Sequence, residues 1–255
     1  MNQIPSLSFC ITCMNRLYQI RDTLGQNLHD NRMFDFLVEF VLIDFGSTDG
    51  LRDWVYQNYL DDIKSGYLKY YYTEELKCWH ASIAKNTAHL YANNDILVNL
   101  DCDNYTGHNG GKFIIKEFMK YNSDIVLHQR SKDPSDGSYG RIGMRKDFFY
   151  QIGGYDESFE PMGHEDTNLF RRLQALGLMY ILVPDPENIY NKAIMNSKAE
   201  SIINTGSSLQ WEQMQQANVR TSERNLAEGR LEANNGKFGI RNRVFNIFGQ
   251  EFSKL

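Results

Sequence analysis

Cysteine is scarce in this sequence. Its 255 residues hold four, Cys10, Cys13, Cys78 and Cys102, too few for the disulfide framework of a secreted scaffold of this length. Cys10 and Cys13 form a C-x-x-C pair, but they fall inside an expected strand, whose alternation sends them to opposite faces. A redox pair would open a helix, and a zinc site would want a second close pair, so these thiols read as buried small hydrophobes. Basic charge is also short. Lys plus Arg number 27 against 32 Asp plus Glu, a net charge of −5, so no general footprint for nucleic acid exists and a polyanion would need a local patch.

Long apolar runs are missing as well. Phe36–Phe45 carries Glu39 and Asp44 and is too short to span a bilayer. Met1–Ser6 lacks the basic flank and apolar core of a targeting signal. The expectation is a soluble, cytoplasmic chain, with a peripheral contact at the inner face of the membrane left open. No G-x-x-x-x-G-K-[ST], G-x-G-x-x-G or G-x-S-x-G occurs, which counts against kinase, dehydrogenase and esterase chemistry. The six histidines show no metal-ligand spacing and read as surface or packing residues. There is no internal repeat.

What is present is a foldable α/β pattern. Hydrophobic residues make up 42% and charged residues 23%, values of a folded chain. Apolar runs predict strands at 7–12, 36–43, 68–72, 96–100, 125–129 and 178–183. Helical periodicity fills the gaps, with Asn15 capping the first helix and Leu17, Ile20, Leu24 and Leu28 forming its stripe. Strands alternating with helices imply a mostly parallel sheet covered on both faces. Ligands of such sheets bind beyond the carboxyl ends of the strands, where Thr12–Arg16, Asp44–Asp49 and Asp101–Asp103 converge. Lys132–Gly140 reads as a polar flap. The polar stretch from 207 to about 234 reads as an accessory helix packed through Trp211, Met214, Val219 and Leu226.

Asp101-Cys102-Asp103 ends the apolar strand DILVNL. Two carboxylates at i and i+2 suit a hard divalent cation such as Mg²⁺ or Mn²⁺, although exposed turn aspartates would look the same. Asp44 also ends a strand. Its loop, DFGSTDG, can cap the next helix through Ser47 or Asp49 and leave Asp44 for a ligand. Glu165 and Asp166 open a helix, where the dipole favours acids and lowers their pKa. A base there needs compensating burial or a neighbouring acid. Lys85, in SIAKN, reads either as a surface lysine or as a partner for a nucleotide phosphate.

Taken in order, ITCMNR (11–16), VLIDFGSTDG (41–50), AKN (84–86), LVNLDCDN (97–104), IGGYDESF (152–159) and GHEDTNLFRRL (163–173) resemble the inverting nucleotide-sugar glycosyltransferases of family 2, with a galactosyltransferase-like second half. The resemblance implies a GT-A fold over residues 1–187, a nucleotide-binding half (1–104) and an acceptor half (105–187), followed by a mainly helical extension at 188–255. It implies that Thr12, Arg16 and Asp44 hold the base and ribose. Lys85, Asp101 and Cys102 would line the donor site, and Asp103 would ligate Mn²⁺ or Mg²⁺. Asp166 would be the general base, with Glu165 beside it on the acceptor. The IGGY turn would shape the acceptor side. The partners implied are a nucleotide-sugar donor, with uridine diphosphate as the carrier, and a glycan or lipid-linked saccharide acceptor, as in polysaccharide biosynthesis. Three departures stand out. Phe45 replaces a usual second aspartate, Pro161-Met162 stands where relatives often have tryptophan, and no histidine follows His164 as a further ligand. A sugar nucleotidyltransferase is the rival enzyme, but CMNRL after the first strand lacks that class's glycines. A non-catalytic sugar-nucleotide or glycan binder is the third reading.

Overall fold

The computed structural model describes residues 4–32, 37–122, 124–130, 137–184, 193–194 and 198–254. In chain order the first half runs β1 (Leu7–Cys13), α1 (Leu17–Asp30), β2 (Val38–Asp44), α2 (Leu51–Lys64), β3 (Leu68–Tyr72), α3 (Ala81–Tyr91) and β4 (Ile96–Asp101). It continues through α4 (Gly110–Lys120), β5 (Ile125–Arg130), β6 (Ile142–Arg145), α5 (Lys146–Gln151), α6 (Glu165–Ala175) and β7 (Met179–Pro184). The remainder forms α7 (Lys198–Thr205), α8 (Trp211–Ala227), β8 (Val244–Asn246) and β9 (Glu251–Phe252).

The described strands build one sheet in the order β7-β5-β6-β4-β1-β2-β3-β8-β9. β4, β1, β2 and β3 run parallel, as do β5 and β7, while β6, β8 and β9 pair antiparallel. β1 and β2 are buried along their whole length, as apolar strands covered on both faces must be. Their alternation sorts two cores. Phe9, Ile11, Phe40 and Leu42 face α1, α2 and α4, whereas Cys10, Val41 and Ile43 face α3 and the elements around Phe149. Cys10 and Cys13 belong to opposite cores and all four cysteines are free.

Four elements depart from the sequence reading. β6 is four residues long, too short for a period to declare itself. β8 and β9 come from the C-terminal stretch and extend the sheet beside β3, so that stretch adds strands as well as helices. α8 does pack on α6, but through Met214, Asn218 and Ser222 at i, i+4 and i+8, with Val219 and Leu226 only partly covered. Much of the expected flap at 132–140 lies outside the described residues, as does the expected start of β2 at Phe36.

Candidate active site

Register sets the first wall. Thr12 pairs with Asp101 across β1 and β4, so parallel strands of matched length end together and bring the loops after them to one rim. Those loops bind each other. Asn15 takes a left-handed φ of 54° and accepts hydrogen bonds from the Thr48 N–H (2.8 Å) and hydroxyl, while its own N–H donates to Ser47 Oγ (2.9 Å). It therefore does not cap α1. That task falls to Asp49, whose carboxylate accepts from the Leu17 N–H at 2.7 Å. The other oxygen of the same carboxylate accepts from the Leu51 N–H at 3.3 Å at the start of α2, so Asp49 serves both helices, while Ser47 is engaged with the first loop.

A polar ridge on α1, invisible to an apolar-stripe reading, secures the next loop. Gln19, Thr23, Asn27 and Asn31 recur every fourth residue and all are buried. The Thr23 hydroxyl donates to Cys102 O (2.6 Å), and Asn27 Nδ2 donates to Asn104 O (2.9 Å). Asn27 Oδ1 accepts from the Thr106 N–H (2.8 Å), and Asn31 Nδ2 donates to Thr106 Oγ1 (2.6 Å). A buried loop carries backbone groups that need partners, and this ridge supplies them. Asn27→Ala is expected to cost about 1–3 kcal/mol, since it leaves buried groups unpaired. A urea-unfolding midpoint unchanged from that of the parent chain would contradict the assignment.

The loop so held presents Asp101 and Asp103. Asn99 Nδ2 donates to Asp101 Oδ1 (3.1 Å) and to Gly140 O (3.1 Å). Asn104 Nδ2 donates to Asp103 Oδ1 (2.7 Å), and Arg141 in turn donates to Asn104 Oδ1 (2.7 Å). Burial, with the nearby Asp101 charge, pushes the Asp103 carboxyl up to about 6. A carboxyl in that condition favours a bound cation, which relieves both costs.

The opposite wall is the start of α6. His164 sits at φ 67° and Gly163 at φ 93°, a turn that swings Glu165 and Asp166 inward. A side chain on Gly163 would also meet Gln215 of α8 at 3.0 Å. Asn218 of α8 holds this turn by donating to the carbonyls of Gly163 (2.7 Å), Glu160 (3.1 Å) and Met162 (3.2 Å). Lys85, buried on α3, donates to Asp166 Oδ1 at 2.7 Å and to Glu165 Oε1 at 3.0 Å. Burial lifts the Asp166 carboxyl to about 7 against the pull of Lys85, with the Glu165 and Asp101 charges adding to the rise. Burial acts on Glu165 too, but there Lys85 and the backbone N–H groups of the helix start prevail and hold it below its ordinary value. One acid of the pair is thus held ionised, and the other can accept a proton near neutrality.

Gly140 stands between the walls. A Cβ there would lie 2.9 Å from Asp101 Oδ2 and 3.2 Å from Asp166 Oδ2, so the two carboxylates converge on this bare backbone. They share a cavity of about 550 Å³ that also takes in Thr12, Arg16, Lys85, Cys102, Asp103 and Glu165. Two of the expected residues behave differently. Asp44 is fully buried and is not among the residues lining the cavity. Its Oδ2 accepts from the Tyr70 hydroxyl (2.6 Å) and its Oδ1 from the Ser47 N–H (2.9 Å), so it shapes the loop from within. Arg16 lines the cavity while its guanidinium donates to Tyr18 Oη (2.8 Å) and to Ser201 Oγ of α7 (2.8 Å). The IGGY turn is not among the lining residues. It is gripped from behind by Asn86 and by the buried Arg172, which donates to Ile152 O (2.8 Å) and Gly154 O (2.5 Å). Sequence reasoning missed Trp79, Trp211 and Gln215 as cavity residues. The last two come from the C-terminal stretch, and nothing local to them announces a site.

A parallel β4-β1-β2-β3 core with an acidic strand end facing an acidic helix start defines a GT-A type glycosyltransferase fold. The chain belongs to glycosyl transferase family 2, whose model matches residues 8–174. Solved structures agree on the fold. A mannosyltransferase of Pyrobaculum calidifontis, PcManGT, in complex with GDP-Man and Mn²⁺, superposes with a TM-score of 0.57 at 17% identity, over 72% of this chain and 56% of that one. The S. aureus TarS fragment 1–349 superposes with a TM-score of 0.57 at 16% identity, over 88% and 73%. Its complex with UDP gives 0.58 at 15%, over 87% and 72%. This chain therefore spans little more than half the length of the mannosyltransferase. A search of curated proteins finds no match. Among the described residues no helix is long and apolar enough to cross a membrane.

Proposed function

We propose that this protein transfers a glycosyl group from a nucleoside-diphosphate sugar to a saccharide hydroxyl by single displacement with inversion. The observation that carries this reading is the convergence of Asp101 and Asp166 on Gly140, with Asp103 and Glu165 on the same cavity. The acceptor oxygen forms a bond to the anomeric carbon as the bond from that carbon to the diphosphate oxygen breaks. The electron pair leaves with the diphosphate, and the hydroxyl proton passes to Asp166. A carboxyl near 7 is matched to that task at neutral pH. Glu165, held ionised by Lys85, is placed to accept a hydrogen bond from an acceptor hydroxyl. Thr12, Arg16, Asp101 and Cys102 line the donor side.

The donor set fits a divalent cation, Mn²⁺ or Mg²⁺, at Asp103. Among the described residues no group of three or more His, Cys, Asp or Glu side chains gathers that could hold a metal ion, so diphosphate oxygens and water would complete its shell, as is usual for such ions. When bound, it offsets negative charge growing on the leaving diphosphate. We take uridine diphosphate as the carrier. A TarS structure contains UDP and the mannosyltransferase structure contains GDP-Man, so both nucleotides belong in the test. A thermal-shift screen of UDP-, GDP- and dTDP-sugars with Mn²⁺ should give a rise in Tm with one nucleotide class, since ligand binding stabilises the folded state. Asp103→Ala should abolish the metal-dependent part of that rise. Product analysis should then find the glycosidic bond inverted. Release of pyrophosphate from a nucleoside triphosphate would favour a nucleotidyltransferase instead.

A further inference from the structure

We propose that Lys85 is a positioning residue for the acid pair of α6, setting which carboxylate of Glu165 and Asp166 takes the proton, and is not a ligand of the donor diphosphate. The inference rests on the reading of Asp166 as the base. Its grounds are geometric. Lys85 Nζ lies 2.7 Å from Asp166 Oδ1 and 3.0 Å from Glu165 Oε1, and its side chain is only 6% exposed. Its third side is covered by the Tyr155 ring, whose centroid is 5.3 Å from Nζ. An ammonium has three donors. Two are committed to the acids and the ring covers the charge behind them, so reaching a diphosphate would break two charge-assisted bonds.

The bridge also has a purpose. Two buried neighbouring carboxylates cannot both ionise cheaply. One cation fixed between them keeps one charge compensated and fixes the rotamers of both. Asp166 Oδ2 is left at the Gly140 side of the cavity, while Oδ1 stays on Lys85. The other charged and titratable groups around the pair are Asp101 at the end of β4, Tyr155 after α5, and His80 and His164 ahead of α3 and α6. Burial holds both histidines below their ordinary value, so near neutral pH Lys85 is the cation that touches both acids.

Two substitutions should move the Asp166 titration in opposite directions. Lys85→Met removes the cation and should raise it by at least about one pH unit. Glu165→Gln removes the repelling charge, leaves the Lys85–Asp166 bond intact, and should lower it. Carboxyl ¹³C NMR titration of the full chain, assigned through Asp166→Asn, reads both shifts without turnover. In assays, Lys85→Met should lower kcat about tenfold or more, displace its acidic limb upward, and leave donor KM within about twofold. Lys85→Arg should restore most of the loss. A tenfold rise in donor KM at unchanged kcat would make Lys85 a diphosphate ligand and overturn the inference. So would an Asp166 titration that moves with neither variant. If Lys85→Met fails to fold, the Glu165→Gln shift and the Lys85→Arg kinetics carry the test alone. Opposed NMR shifts in a protein that transfers no sugar would preserve the inference about the bridge and reject the catalytic reading.

Discussion

Asp166→Asn should lower kcat by about 10²- to 10⁴-fold, the range contributed by a positioned general base, with donor affinity within about twofold of the parent chain. Asn keeps the size and hydrogen-bonding reach of the side chain but cannot take the proton. Steady-state kinetics with a calorimetric donor Kd would separate the two quantities, and a parallel loss of donor binding would mean that Asp166 builds the donor site. The pH dependence follows from the direction of the shift. With its carboxyl at about 7, Asp166 is protonated in mild acid, so kcat/KM should climb with pH and level off above about 7. The stability linkage has the opposite sign. A carboxyl whose pKa is raised on folding favours the native state below its unfolded value, and that contribution is lost as pH rises through the folded value. Asp166→Asn should therefore be more stable than the parent chain at pH 8 while being less active. Denaturant melts at pH 5 and pH 8 would show the larger advantage at the higher pH, because the loss accrues between the unfolded and the folded value.

Arg172→Ala should cost about 4 kcal/mol of stability, large for one residue. Arg172 is 1% exposed. Its guanidinium donates to the carbonyls of Ile152, Gly154 and Leu231 and to Asn168 Oδ1. Alanine would leave several buried carbonyls without partners and open a cavity where a large side chain was. Burial lowers the guanidinium to about 10, so it stays charged at neutral pH and the loss should be nearly constant from pH 6 to 8. Arg172 joins α6, the turn after α5 and the segment leading away from α8, so the damage should reach the cavity wall at the start of α6. A urea titration showing less than about 1 kcal/mol of loss would mean that water replaces the guanidinium.

The two helices that brace the site carry a common lesson. On and just after α1 the residues Gln19, Thr23, Asn27 and Asn31, and on α8 the residues Asn218 and Ser222, lie off the apolar stripes that the sequence pattern marks. In the molecule they are buried. Thr23, Asn27 and Asn218 bind the backbone of the loops after β4 and before α6, while Gln19 accepts from Arg16 and Ser222 from Asn168. Spacing alone cannot distinguish a polar ridge facing water from one facing an irregular loop, because both repeat every fourth residue. The long apolar strands were legible for the opposite reason, since burial on both faces leaves a continuous run. Asp44 shows the limit of reading strand ends one by one. It ends β2 just as Asp101 ends β4, yet the Tyr70 hydroxyl and the Ser47 N–H fully engage it.

Local sequence determined the alternating strands and helices of the first half, the parallel core and the acidic pairs at 101/103 and 165/166, because burial period and strand-end chemistry act over a few residues. Tertiary structure decided which carboxylates meet, that Lys85 bridges the second pair, that Asp49 rather than Asn15 caps α1, and that the C-terminal stretch adds strands, a clamp and part of the cavity wall. Those outcomes depend on close approach between residues from 32 to 175 positions apart, and no window along the chain contains both ends of such a contact.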